Sequence, residues 1–271
     1  ELPLFLATPR EIEDEKQPKR RLSKLEDGYV LPPAVDTRVE AFARQHFTVF
    51  DLPKPLAEHL LSSAPRGTKP LTPSVLRQYL KRKLSDPKKR ERRLGMAAWA
   101  PLHSANFCLD LLGICLEDLS PRSYSELVDL YLLPLATGPV ARIGSPDHYI
   151  VASSDQQALL PHLLDSFVSA QCLEHPVVGP LFGYSADFLR ALKLRDLDLP
   201  LLASNLRLPS LEPPAPWLRA FWSTVLERLP AAQDRGIDPA LCDSLVALFG
   251  DRKLLPLAND GGVTHISALA D

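Results

Sequence analysis

Methionine is nearly absent from this chain of 271 residues, which holds one, and glycine is scarce at 12. The four cysteines, Cys108, Cys115, Cys172 and Cys242, are too few and too scattered for a disulfide scaffold, and none forms a CxxC pair. Buried free thiols in a reducing compartment are the expectation. Neither sign of charge prevails: 31 Lys and Arg face 33 Asp and Glu, a net charge of -2. That excludes a global field drawing the chain onto nucleic acid or an anionic membrane. Long hydrophobic runs are missing too, because charge, Pro or Gly interrupts each apolar stretch short of the ~20 residues of a spanning helix. No secretory signal stands at the start. The chain opens on Glu1-Leu2-Pro3-Leu4-Phe5 without an initiator Met and stops in mid-segment at Asp271, so it reads as a piece of something longer.

What is abundant is aliphatic side chain and proline. A hydrophobic share of 45% excludes disorder as the main state. The 27 prolines, about twice the usual share, punctuate helical patterns instead of clustering, which predicts short helices stopped by Pro.

An internal repeat organises the chain. Leu2-Pro3-Leu4, Leu133-Pro134-Leu135 and Leu255-Pro256-Leu257 each read as the start of a short strand. The second and third copies extend to Leu132–Gly138 and Leu254–Gly261, with return strands at Val140–Ile143 and Val263–Ile266. In the first copy the charged stretch Glu11–Lys24 reads as an inserted surface loop, and Gly28-Tyr29-Val30-Leu31 takes the return-strand role. A fourth Leu-Pro-Leu at Leu199 lacks the glycine turn and reads as coincidence.

Between the hairpins the periodicity is helical. Val39, Phe42, Ala43 and Phe47 share a face, with Asp36 or Thr37 as cap. Thr72 is the expected N-cap of a helix opened by Pro73 and carrying Val75, Leu76, Tyr79 and Leu80. Phe107, Leu111, Leu112, Cys115 and Leu116 mark an apolar helix; Ser185 caps one with Phe188 and Leu189. Pro216 opens one with Trp217, Phe221 and Val225 at four-residue spacing, and Asp238-Pro239 opens the last, closed by Gly250. The stretch Leu208–Pro216 reads as an extended connector. The expected fold is α+β, mainly helical with short β-hairpins in an elongated repeat-type architecture, divided into a first unit at 1–130 and a second at 131–271.

Little in the sequence argues for catalysis. Seven histidines (His46, His59, His103, His148, His162, His175, His265) stand one at a time, with neither HExxH nor a Cys/His cluster at metal-ligand spacing. GxGxxG, GxxxxGK[ST] and GxSxG are absent, and Asn259-Asp260-Gly261-Gly262 reads as a hairpin turn. The adjacent acids Glu117 and Asp118, or Asp196 and Asp198, read as solvated-face residues. We therefore expect no enzyme, no cofactor and no metal; the alternative is an enzyme or regulatory domain whose site is assembled only in three dimensions.

Two groups are candidate interaction residues. The basic run Lys81-Arg82-Lys83 followed by Lys88, Lys89, Arg90, Arg92 and Arg93 reads as a solvated helix face, with a phosphate-rich surface as the alternative. Trp217, Phe221 and Trp222 read as packing within their own repeat, with a protein-binding patch as the alternative.

Four stretches, in this order, resemble the repeat region of sacsin and sacsin-like proteins. They are Leu71–Leu80 (Leu-Thr-Pro leading to Arg77), Phe107–Leu119 (ending Cys115-Leu116-Glu117-Asp118-Leu119), and Leu132–Gly138 with His148–Val151 and Leu159-Leu160-Pro161. The fourth is Pro216–Trp222 (Trp-Leu-x-x-Phe-Trp), preceding the Leu254 hairpin. The resemblance runs over roughly residues 70 to 266. It implies a segment of a very large intracellular, cytoplasmic protein, lying downstream of a GHKL-type ATPase-like module related to heat-shock chaperones. That ATPase's metal-holding Asn and Asp-x-Gly-x-Gly have no counterpart here, so no catalytic or nucleotide-binding residue is carried over. The implied role is a scaffold that binds unfolded or client proteins, chaperone machinery and neighbouring repeats of its own chain, with no specific nucleic acid and no membrane span.

Overall fold

The computed structural model describes residues 4–8, 21–24, 28–33, 37–63, 65, 67–84, 104–144, 148–208, 213–228, 239–256 and 263–266. They form a mainly helical α+β fold in two compact units, Glu1–Leu133 and Pro134–Asp271.

In the first unit β1 (Leu4–Thr8) lies between β2 (Arg21–Lys24) and β3 (Val49–Phe50), antiparallel to both. The return strand of the first hairpin is thus Arg21–Lys24, at the end of the stretch expected to be an inserted loop. Residues Gly28–Leu31 do something else. Tyr29 bridges Val49 and Val30 bridges Pro70, with the Tyr29 N–H donating to the Thr48 carbonyl at 2.8 Å and the Val30 N–H to the Lys69 carbonyl at 2.9 Å. Glycine at 28 answers this close approach: a Cβ there would stand 2.9 Å from the Thr48 carbonyl oxygen and 3.0 Å from the Phe50 ring. A glycine that sequence alone reads as a strand start permits backbone contact instead.

Helix α1 (Thr37–His46) buries Phe42 and Ala43, and Phe47 follows buried behind it. After α2 (Lys54–Ser63), helix α3 (Pro73–Leu84) opens as expected, the Thr72 hydroxyl accepting from the Val75 N–H at 3.3 Å. Helix α4 (Ala105–Leu116) buries eight of its residues, Phe107, Cys115 and Leu116 among them. A helix apolar on most sides belongs inside. Phe42 meets Phe107 at 6.0 Å and Tyr79 at 6.4 Å between ring centroids, so α1, α3 and α4 share one core. A 3-10 turn, Pro121–Leu127, completes the unit.

The unit boundary falls within β4 (Leu133–Pro134), which pairs with β5 (Val140–Ala141) across a turn where Gly138 takes φ +100°. This left-handed conformation suits glycine. β6 (Ile150–Val151) runs parallel to β7 (Arg195–Asp196), a strand the periodicity does not announce. Between them lie α5 (Ser154–Leu159), a 3-10 turn at Pro161–Ser166, α6 (Gln171–Glu174), α7 (Gly179–Tyr184) and α8 (Ala186–Ala191). Ser185 caps α8 by accepting from the Phe188 N–H at 3.2 Å. The Leu-Pro-Leu at Leu199 opens α9 (Leu199–Asn205), a helix and not a hairpin.

The remaining elements are α10 (Ala215–Arg228), α11 (Pro239–Phe249) and the antiparallel pair β8 (Lys253–Pro256) and β9 (Val263–His265). Pro216, taken as a helix start, sits second in α10; residues 209–212 of the expected connector lie outside the described ones. The core of this unit gathers Leu159, Leu160, Phe167, Leu197, Phe221, Phe249, Leu254 and Ile266. Gln157, buried among them, donates through Nε2 to the carbonyls of Ala152 (3.0 Å) and Val168 (2.6 Å), satisfying two backbone groups at once. Among the described residues no helix is long and apolar enough to cross a membrane.

Candidate interaction surface

Of the residues nominated from sequence, Lys88, Lys89, Arg90, Arg92 and Arg93 lie outside the described residues. The aromatic group lies among the described residues, packed within its own unit. Phe221 is fully buried, stacked against Trp217 (centroids 5.8 Å apart, 6° between planes) and edge-on to Trp222 (5.4 Å) and Phe249 (5.2 Å). Trp222 is partly buried, and its Nε1 donates to the Leu254 carbonyl at 2.8 Å. The four-residue spacing that brings Trp217 and Phe221 together turns that face of α10 toward α11 and β8, so these rings pack the unit together.

The strongest polar arrangement in the first unit is one that sequence reasoning passed over. Arg77, in the middle of α3, is buried, and its Nη1 donates to the Cys115 carbonyl at 2.7 Å and to Asp118 Oδ1. Its Nη2 donates to Glu126 Oε2 at 2.9 Å. Three acceptors, two of them charged, occupy the planar fork that distinguishes arginine from lysine. Burial alone would lower the Arg77 pKa; the hydrogen bonds to Asp118 and Glu126 and the fields of both carboxylates outweigh it and raise it.

Beside this knot, burial pushes the Cys115 thiol up to about 12 from an ordinary 9.0, against a downward pull from Arg77 and with upward pushes from Asp118 and Glu117. The sign of the linkage is fixed. Above pH 9 the unfolded thiol ionises while the folded one stays protonated, so its contribution is present below that pH and is lost as pH rises toward 12. The loss amounts to at most ~1.4 kcal/mol per pH unit. Urea denaturation of the parent chain and of Cys115→Ala across this range checks it: the parent's stability should fall more steeply with pH, and parallel slopes would refute the assignment.

The second unit carries an open groove of about 480 Å³, lined among others by Gln156, Glu174, His175, Gly183, Tyr184 and Glu227. Tyr184 is 92% exposed at the end of α7, and nearby Val177 is 59% exposed. Glu227 reaches the groove from α10, its carboxylate accepting from Gln156 Nε2 at 3.1 Å and from the Ser223 hydroxyl at 3.2 Å. His175 Nδ1 accepts from the N–H groups of Val177 (3.3 Å) and Val178 (3.4 Å), which holds the turn into α7. Arg228 pairs with Asp196 at 3.4 Å. Nothing local marked these residues, since they come from four separate segments; the one available signal was Tyr184 and Pro180 on the short helix α7 with Pro176 and Val177 in the turn before it.

The acid pairs weighed as solvated-face residues also have particular tasks. Asp118 binds Arg77, Asp196 binds Arg228, and Asp198 caps α9 by accepting from the Leu201 N–H at 2.7 Å. Among the described residues no three His, Cys, Asp or Glu side chains group as metal ligands would. The chain matches no family model, no curated protein and no solved structure.

Proposed function

We propose that this chain is a non-catalytic scaffold segment of a large, cytoplasmic, sacsin-like protein related to chaperones, binding client or co-chaperone proteins and the neighbouring repeats of its own chain. One observation carries the reading: the stretches that bear the family likeness meet one another. Arg77, from the first, binds Cys115 and Asp118 in the second. Leu159 and Leu160, from the third, share a core with Phe221 of the fourth, whose Trp222 is tied to the Leu254 hairpin. Residues spent on joining elements are what a repeating structural module requires. The exposed Tyr184 and Val177 supply the apolar outward surface that protein contact uses.

The test uses the whole chain without nucleotide, mixed at near-stoichiometric ratio with an aggregating, chemically unfolded model protein and followed by light scattering. Slowed aggregation is expected; no effect from a folded chain would overturn client binding. The second reading, an enzyme with a site assembled in three dimensions, draws on Glu174, His175 and Glu227 lining one groove. Saturable turnover abolished by Glu227→Gln would replace the scaffold reading with it.

A further inference from the structure

The groove of the second unit has a character of its own. Its apolar part is Leu173, Pro176, Pro180 and the exposed ring of Tyr184. Gly183 adds an open stretch of wall: a Cβ there would meet nothing nearer than a Leu173 methyl at 3.9 Å, and the residue is not in the left-handed region. Neither backbone conformation nor packing calls for glycine at a helical position where alanine is favoured. What glycine does there is keep the wall beside Tyr184 free of side chain.

The charges of the groove have one sign left over. Arg228 is matched by Asp196. Glu227 is held by two neutral donors, Gln156 and Ser223. Glu174, at the end of α6, is exposed, and among the described residues neither glutamate has an ion-pair partner. An apolar shelf edged by two carboxylates selects a ligand that is apolar and basic at once.

We infer that this groove binds an extended peptide segment in which proline residues alternate with lysine or arginine, presented by a client or co-chaperone. Proline suits the shelf because a polyproline II segment is already extended, loses little entropy on docking, and lays its rings flat on tyrosine. The basic side chains reach Glu174 and Glu227. The inference rests on the protein-binding reading above and gives it a place and a chemistry.

Fluorescence anisotropy with the whole chain tests it, using a labelled ten-residue peptide of alternating prolines and arginines and a second in which glutamate replaces each arginine. The basic peptide should bind saturably, and the acidic one about tenfold more weakly or not at all. Tyr184→Ala should weaken binding about tenfold, while its melting temperature stays at the parent's because the ring is exposed. Gly183→Ala should fold at least as stably as the parent and bind more weakly; Glu174→Gln with Glu227→Gln should flatten the salt dependence. Equal binding of both peptides, or indifference to Tyr184→Ala, overturns the inference, as does Tyr184-dependent self-association of the chain in sedimentation. The two ideas separate cleanly: aggregation suppression that survives Tyr184→Ala, with no peptide bound, sinks the groove and leaves the scaffold. Peptide binding without suppression does the reverse.

Discussion

Replacing Phe221 by alanine should destabilise the second unit by about 3–5 kcal/mol, the range for emptying a buried aromatic site. The upper half of that range is expected, because the ring is fully buried and its three aromatic neighbours surround it at 5.2 to 5.8 Å. Losing edge-to-face and stacked geometry adds ~0.5–1.5 kcal/mol per pair beyond area burial. Phe221→Leu, which keeps most of the volume, should cost under about 1.5 kcal/mol. Urea titrations read by tryptophan fluorescence are well placed to measure this, since Trp217 and Trp222 flank the site. A loss below ~1 kcal/mol for the alanine variant would mean that the rings do not pack as described.

In the first unit Arg77→Ala should cost about 2–4 kcal/mol. Removing the guanidinium leaves the Cys115 carbonyl and two carboxylates without their donor. The Asp118 and Glu126 side chains are 39% and 53% exposed, so water takes over part of the arginine's role and holds the loss below that of a fully interred pair. Arg77→Met should cost less than Arg77→Ala, because the methionine keeps the apolar stem packed. A double-mutant cycle with Asp118→Asn separates stem from charge: a coupling of ~1–3 kcal/mol is expected, and additivity would show that the pair contributes nothing.

Much of the framework was legible because its signals are local. Thr72, Pro73 and Ser185 announce helix starts, since a hydroxyl or a missing N–H satisfies the first turn whatever surrounds it. The glycine at 138 announces its turn in the same way. Strands were harder. Arg21–Lys24 reads as the end of a charged inserted loop when Gly28–Leu31 is given the return-strand role, whereas what pairs is backbone, whatever side chains it carries. β7 was invisible, for Arg195 and Asp196 are both exposed and their pairing with β6 joins residues far apart in sequence. The groove failed for a related reason. Glu174 and Glu227 belong to different helices, and nothing in either segment refers to the other. Arg77 stood in a stretch already picked out, but the sequence pattern could not say that its partners were Cys115, Asp118 and Glu126.

The proline at the end of β8 bears on a hazard of every open strand margin. A two-stranded ladder has outer margins where a third strand can add, and any extended chain segment can supply it. β8 spans Lys253 to Pro256, and both of these terminal residues are exposed. The lysine resists close approach by another ladder, and the proline offers no N–H to extend one. β4 differs: Pro134 is buried, and residues 167–169 already lie along that strand, the Ser169 N–H donating to the Pro134 carbonyl at 2.9 Å and Val168 bridging Leu135. At β8 the hairpin is thus held from within by the buried Leu254 and blunted against templated growth at its margin by the lysine and the proline.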